Sequence, residues 1–277
     1  MTPFLVAATF AAAMVAAEPE GLRLEDPALR QFEDGPAYLQ SYRPGEQVFF
    51  DVRVAGYGRT DGENPALKLK WTFRALDADA RLLEPAASGT LELGLATQDT
   101  DYRPRARFGL TVPLFALDGQ YRITMTLTDE VAQKSVDGSF IFRVRGKQLP
   151  PEAKLGAGNW RFLRQEDDPS PLALPVYRPG SEVWLRFDLQ GYALSPANGF
   201  AVGYGVTVTG PDGKQFLKQD PAATESQRPF YPQRYVPATF VIQLPPKALV
   251  GEYRVAIVVR DVEGKTEQTV TRVFRVE

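Results

Sequence analysis

The tetrapeptide Tyr42-Arg-Pro-Gly45 recurs as Tyr177-Arg-Pro-Gly180, and this recurrence organises the rest of the sequence. Two further motifs recur in the same order: Gly119-Gln-Tyr-Arg122 as Gly251-Glu-Tyr-Arg254, and Phe142-Arg-Val144 as Phe274-Arg-Val276. The spacing between copies falls only from 135 residues (42 to 177) to 132 residues (119 to 251). A repeat of this length with its elements in constant order indicates one type of domain that is present twice.

Each copy contains runs in which apolar and polar residues alternate, which is the period of half-buried strands. The runs are Val48–Val54, Leu67–Ala75, Phe108–Val112 and Tyr121–Leu127 in the first copy, and Val183–Leu189, Phe200–Val208, Phe240–Leu244 and Tyr253–Val259 in the second. The turns agree with this pattern. Arg-Pro-Gly-Glu has Pro and Gly where a type II turn needs them, so Gly45 and Gly180 should adopt positive φ.

About seven short strands per copy, separated by turns, predict an all-β protein of two tandem immunoglobulin-like antiparallel β-sandwiches. Tyr121 and Tyr253 each open the sixth strand in the manner of a tyrosine corner. Trp71 lies on the third strand, where such folds bury an aromatic residue. We interpret these three aromatic residues, together with Gly45 and Gly180, as structural.

The chain has 277 residues, enough for two such domains. Residues 1–17 form an uncharged, Ala-rich segment that ends in small residues, which is typical of a cleaved signal peptide. We expect sandwiches at residues 18–147 and 159–277, joined by a linker at 148–158 that is rich in Pro and Gly. The mature protein should be secreted or periplasmic, without a membrane span.

The combination of Tyr-Arg-Pro-Gly-Glu, an alternating strand and a later Gly-x-Tyr-Arg strand resembles the macroglobulin-type domains of the alpha-macroglobulin family. The likeness covers most of both copies and implies a sandwich fold with an adhesive or scaffold role. The protease-trapping activity of that family needs a Cys-Gly-Glu-Gln thioester. This chain has no Cys, so the resemblance does not extend to protease capture.

The composition removes most catalytic and metal chemistry. The chain has no Cys and no His, which excludes disulfides, thiolate or imidazole metal sites and a Ser-His-Asp triad. Its 32 basic and 34 acidic residues nearly balance, so the chain lacks the excess positive charge that binds nucleic acid. We predict no nucleic-acid partner. No motif for a phosphate or dinucleotide appears. We therefore predict a protein that is not an enzyme, with no cofactor and no metal.

Three functions remain open: a module that binds another envelope or extracellular protein, a periplasmic chaperone that donates a strand, and a carbohydrate-binding accessory module. In an immunoglobulin-like sandwich, three loops meet at one end: the loop between the second and third strands, the loop between the fourth and fifth, and the loop between the sixth and seventh. At the free end of the first sandwich we predict a binding surface of Tyr57, Arg59, Asp61, Asp101, Tyr102, Arg103, Asp129 and Glu130. In the second sandwich, the loop between the fourth and fifth strands should face the first sandwich. We therefore interpret its residues Phe230, Tyr231, Arg234 and Tyr235 as interdomain contacts or an alternative binding surface.

Overall fold

The computed structural model describes residues 21–37, 41–96, 98–150 and 153–277. The segment interpreted as a signal peptide, residues 1–17, lies outside the described residues, as does a part of the expected linker. The described residues form strands and no helix, so the predicted all-β class is confirmed. No described helix could therefore cross a membrane.

The half of the chain up to residue 150 contains seven described strands: β1 (Arg23–Arg30), β2 (Gln47–Ala55), β3 (Ala66–Leu76), β4 (Ala87–Gly94), β5 (Arg105–Thr111), β6 (Gly119–Asp129) and β7 (Lys134–Val144). They pair in the orders β1-β2-β5 and β4-β3-β6-β7. All these pairings are antiparallel. β4 pairs with β3 and not with β5, so the four-stranded sheet is the one that contains β6 and β7. This is a variant of the seven-stranded immunoglobulin-like sandwich.

The second half contains β8 (Gly156–Leu163), β9 (Val176–Tyr177), β10 (Glu182–Gln190), β11 (Phe200–Thr209), β12 (Gln215–Gln227), β13 (Tyr235–Gln243), β14 (Gly251–Asp261) and β15 (Thr266–Val276). One sheet has the order β13-β10-β8 and the other β12-β11-β14-β15-β9. Apart from the short β9, this order repeats that of the first half.

The alternating residues of the sequence fill two separate cores. In β2, Val48, Phe50, Val52 and Val54 are all buried, and the same holds for Val183, Leu185, Phe187 and Leu189 of β10. Each core draws its buried residues from one half of the chain. Burial of this apolar surface is the main contribution to stability in a chain that has no disulfide.

The repeated tetrapeptides form turns with the same geometry. Gly45 has φ +86° and Gly180 has φ +83°, values that favour glycine. In each turn the amide after the glycine donates to the arginine carbonyl: Glu46 N to Arg43 O at 3.1 Å, and Ser181 N to Arg178 O at 3.1 Å.

The repeated aromatic residues meet around one phenylalanine in each core. Phe142 contacts Tyr42 at 6.0 Å and Tyr121 at 5.7 Å between ring centroids. Phe274 contacts Tyr177 at 5.7 Å and Tyr253 at 5.1 Å. The recurring sequence motifs are thus the parts of the chain that build this aromatic cluster.

Strand direction assigns the loops to two ends of each sandwich. In the first half, loops 56–65, 95–104 and 130–133 lie at one end, and the segments 77–86 and 112–118 lie at the opposite end. In the second half, loops 191–199, 228–234 and 262–265 form the end that corresponds to the first of these. We call the end made by 56–65, 95–104 and 130–133 the free end.

Candidate functional site

Tyr231 of the second half is inserted against the first half. Its ring packs against the core of the first half. Its hydroxyl donates to Asp77 Oδ2 at 3.1 Å and lies 3.5 Å from the hydroxyl of Tyr121. Burial is the main reason why the pKa of Tyr231 is raised, and the neighbouring Asp77 adds to it. The hydroxyl therefore stays protonated, as its role of donor to a carboxylate requires.

Two neighbours of Tyr231 extend this contact. Arg234 donates to Asp79 Oδ2 at 2.8 Å, beside an ion pair between Arg81 and the same carboxylate. The ring of Tyr235 meets that of Phe115 edge-on, with centroids 5.5 Å apart. The loop 228–234 of the second half thus lies against the 77–86 and 112–118 segments of the first half.

Lys147 fixes the chain where it passes from one half to the other. Its carbonyl accepts a hydrogen bond from Asp118 N of the first half at 3.0 Å. Its ammonium group contacts both oxygens of Asp188 in β10, at 2.7 and 2.6 Å, and lies 4.0 Å from the ring centroid of Tyr235. Asn159 Nδ2 also donates to Asp188 at 2.7 Å. The buried Asp188 is thereby paired and hydrogen-bonded, which a buried charge requires.

Phe230 does not share the arrangement of its neighbours. Its side chain is among the exposed large hydrophobic residues, and its carbonyl accepts from Asn198 Nδ2 within the second half at 2.5 Å. Of the four residues Phe230, Tyr231, Arg234 and Tyr235, the last three make the contacts with the first half. We therefore correct the interdomain interpretation for Phe230, because its ring faces solvent.

At the free end of the first half, loop 56–65 holds loop 95–104 in place. Tyr57 donates its hydroxyl to Tyr102 O at 2.6 Å, and its ring packs against the core. The guanidinium of Arg59 donates to the carbonyls of Asp99 at 2.5 Å and Thr100 at 3.0 Å. Tyr57 and Arg59 are thus positioning residues for loop 95–104, which contributes the exposed side chains of Asp101 and Tyr102.

The surface at the free end carries both negatively and positively charged side chains. Asp61, Asp101 and Glu130 are exposed, and 42% of Tyr102 is exposed. Arg103 donates to Glu25 of β1 at 2.5 Å, and Arg23 donates to the same carboxylate at 2.7 Å. A polar cavity of ≈ 220 Å³ lies between Arg23, Tyr57, Arg59 and residues 100–103. An exposed tyrosine among mixed charges is typical of protein-recognition surfaces.

Asp129, which we predicted as part of this surface, is fully buried. Its carboxylate accepts hydrogen bonds from the amides of Gly58, Val131 and Ala132 at 2.5–3.0 Å. Asp261 at the end of β14 does the same for the amides of Ala193 and Gly264. We therefore correct the prediction: Asp129 ties two loops together and is not available to a partner.

The aromatic residues interpreted as structural lie inside or against the cores. The hydroxyl of Tyr121 donates to Leu117 O at 2.9 Å, four residues upstream. Tyr253 is buried at the corresponding place in β14, and its ring stacks on that of Phe274. The indole of Trp71 is half-buried and lies over Gly89, its cross-strand neighbour in β4. A glycine there leaves room for the indole.

Two observations on the described residues concern metal binding and strand donation. Within residues 21–37, 41–96, 98–150 and 153–277, no three potential metal ligands form a cluster. The longest edge strand, β12, is mostly exposed and polar and has Pro221 at its middle, which blocks strand addition there.

Comparison with known proteins adds little to this description. No protein-family model and no curated protein matches the chain. Among solved structures, the chain is similar to the C-terminal domain of the antigen I/II polypeptide BspA of Streptococcus agalactiae, with 10% identity and a TM-score of 0.30, over 90% of this chain and 100% of that one. It is equally similar to the C-terminal domain of the antigen I/II-family protein AspA of Streptococcus pyogenes, with 10% identity and a TM-score of 0.30, over 90% and 99%. At these scores we derive fold and function from this chain's own residues.

Proposed function

We propose that this protein is a secreted or periplasmic module without enzymatic activity, which binds another envelope or extracellular protein through the free end of its first half. The observation that carries the proposal is that Tyr57 and Arg59 bond to the carbonyls of Tyr102 and Asp99, while the side chain of Tyr102 remains exposed. A loop that is fixed before binding loses less conformational entropy when a partner docks. Tyrosine is also among the residues that contribute most to protein interfaces.

The proposal includes the organisation of the chain. Residues 18–147 and 159–277 are two tandem immunoglobulin-like domains with a linker at 148–158, and residues 1–17 are removed on export, after Ala17. The two separate cores support the division. The resemblance to macroglobulin-type domains supports an adhesive or scaffold role. Mass spectrometry of protein exported by a bacterial host should show a chain that begins at Glu18, whereas full-length protein confined to the cytosol would contradict export.

Capture experiments test the binding surface. Immobilised protein that starts at Glu18 is incubated with an envelope extract of the host, and retained proteins are identified and quantified. Tyr102→Ala should reduce capture of the principal partner at least tenfold without changing the unfolding midpoint, because the side chain is exposed. Phe230→Ala is the matched control, since it removes an aromatic ring that is exposed to a similar degree at another end.

The two variants together decide the proposal. Equal capture by wild type and Tyr102→Ala would contradict the assignment to the free end. Loss of capture with Phe230→Ala alone would move the site to loop 228–234. Tyr57→Ala is a poorer test, because its ring also packs against the core and its removal would disturb the loop.

A further inference from the structure

The position that Tyr231 occupies in the first half has a counterpart in the second half. The turn after β3 closes with hydrogen bonds from Asp77 N to Arg81 O and from Ala80 N to Asp77 O. The turn after β11 closes in the same way, from Gly210 N to Lys214 O and from Gly213 N to Gly210 O. Gly210 therefore corresponds to Asp77.

Two further residues of the first half, Asp79 and Tyr121, also have counterparts in the second half. Asp212 corresponds to Asp79 and pairs with Lys214, with 3.7 Å between Nζ and Oδ2, as Asp79 pairs with Arg81. Tyr253 corresponds to Tyr121, because each is the third residue of the sixth strand of its sandwich and each packs on the equivalent phenylalanine, Phe274 or Phe142.

Tyr231 lies between Tyr121 and Asp77 in the first half, whereas a cavity lies between Tyr253 and Gly210 in the second. Its volume is ≈ 230 Å³, which is several times the share of ~30 Å³ that one water molecule takes. Asp212, Phe216 and Leu249 also line this cavity. We call it the Tyr253 cavity.

The rim of the Tyr253 cavity is more apolar and more exposed than the covered surface to which it corresponds. Leu117 is half-buried, but its counterpart Leu249 is 54% exposed. Val250 stands where the first half has Asp118, and it is 68% exposed. Two adjacent exposed apolar residues beside a cavity are typical of a surface that binds another protein.

We infer that the Tyr253 cavity receives the free end of a second copy of this chain, so that copies associate head to tail. The contact between the two halves shows what such a surface accepts: a loop with tyrosine and arginine from the corresponding end of another sandwich. The free end has these residue types in Tyr102 and in Arg103, whose side chain is bonded to Glu25 and is 34% exposed, and Asp212 stands where Asp79 binds Arg234. Because the two surfaces differ and lie at opposite ends of the molecule, the association is heterologous and forms either open assemblies or closed rings of more than two copies.

Sedimentation velocity over a range of concentrations tests this inference, which rests on the same free end as the proposed function. Wild-type protein that starts at Glu18 should show an average mass that rises with concentration beyond that of a dimer. Leu249→Asp and Tyr102→Ala should each remain monomeric, because each removes one of the two surfaces. An equimolar mixture of the two variants should reach the mass of a dimer and no further, because one intact surface of each kind remains.

The matched control is a substitution of an exposed valine that lies far from the Tyr253 cavity. Val262→Asp changes a valine that is 59% exposed in the β14–β15 turn, away from the cavity, and should associate like wild type. A monomeric wild type at the highest soluble concentration, a monomeric mixture, or association that only Leu249→Asp abolishes would overturn the inference. If wild type is monomeric while Tyr102→Ala still loses the envelope partner, the inference fails and the proposed function stands.

Discussion

The two corresponding ends of the sandwiches have the same scaffold but different surroundings. At the end of the second half, loop 228–234 places Tyr231 and Arg234 against the first half. At the free end of the first half, loop 95–104 is held by Tyr57 and Arg59 of its own half, and Tyr102 reaches solvent.

Both loops have backbone carbonyls that accept hydrogen bonds within their own half, since Tyr192 donates to Gln233 O at 2.8 Å in the second half as Tyr57 does to Tyr102 O in the first. The difference lies in the partners of their side chains. Loop 95–104 satisfies carbonyls locally, through the hydroxyl of Tyr57 and the guanidinium of Arg59. Loop 228–234 finds acceptors for the side chains of Tyr231 and Arg234 in the other half, at Asp77 and Asp79. Loop 95–104 therefore leaves the exposed side chain of Tyr102 available to a partner, whereas loop 228–234 uses Tyr231 and Arg234 to fix one half against the other.

The largest effect on stability should follow from removal of Lys147. Lys147→Ala leaves the buried carboxylate of Asp188 with Asn159 alone, and breaking a buried ion pair costs about 3–5 kcal/mol. Denaturant unfolding followed by tryptophan fluorescence measures the loss. Lys134→Ala, at an exposed lysine, is the control. Equal midpoints for the two variants would show that the Lys147–Asp188 pair contributes nothing to the contact.

A smaller and unequal effect is expected from the two tyrosine corners. Tyr121→Phe removes a hydroxyl that bonds to Leu117 O and lies beneath Tyr231, and an unpaired buried acceptor costs about 1–3 kcal/mol. Tyr253→Phe should cost less, because Tyr253 lines a cavity in which water can solvate its hydroxyl. Unfolding midpoints of the two variants measure the difference. An equal or larger loss for Tyr253→Phe would contradict the distinction between a covered and an open surface.

The smallest effect should be the pH dependence of the Asp79 contact. Hydrogen bonds from Arg234 and then Arg81 hold the pKa of Asp79 below its usual 3.8. A lowered pKa in the folded state stabilises the contact above the usual value, and this contribution is lost as pH falls through the folded-state pKa. The carboxylate is half exposed, so the effect is small.

Small-angle scattering in a series of buffers around and below pH 3.8 can detect this change. Wild-type protein should become more extended as Asp79 is protonated, and Asp79→Asn should already be more extended at neutral pH, with a weaker dependence on pH. Identical profiles for the two proteins would contradict a role of Asp79 in the contact.

Strands and turns were predictable because their signals are local. Alternation marked the buried positions of β2 and β10, and the Pro-Gly sequence required the turn at Gly45 that the structure shows. The partners of Lys147 were not predictable, since Asp188 looks like any charge on an outward strand face. Its burial depends on where the chain passes between the halves, which no short sequence pattern encodes.

Asp129 shows a signal in the sequence that we missed. Its position continues the alternation of the buried residues Tyr121, Ile123, Met125 and Leu127, and Asp261 continues that of β14 in the same way. A charged residue in phase with a buried face should bind nearby amides, because a buried carboxylate needs hydrogen bonds. Phase along the strand was a better guide here than the charge itself.

The most direct test of the contact between the two halves is a distance measurement between spin labels. The chain has no cysteine, so Ser139→Cys and Thr269→Cys place one label on an exposed strand position of each half. Electron–electron double resonance should give one narrow distance distribution for this protein, and a broad one after Tyr231→Ala and Arg234→Ala are added. A broad distribution before these substitutions, or an unchanged narrow one after them, would contradict a fixed contact through loop 228–234.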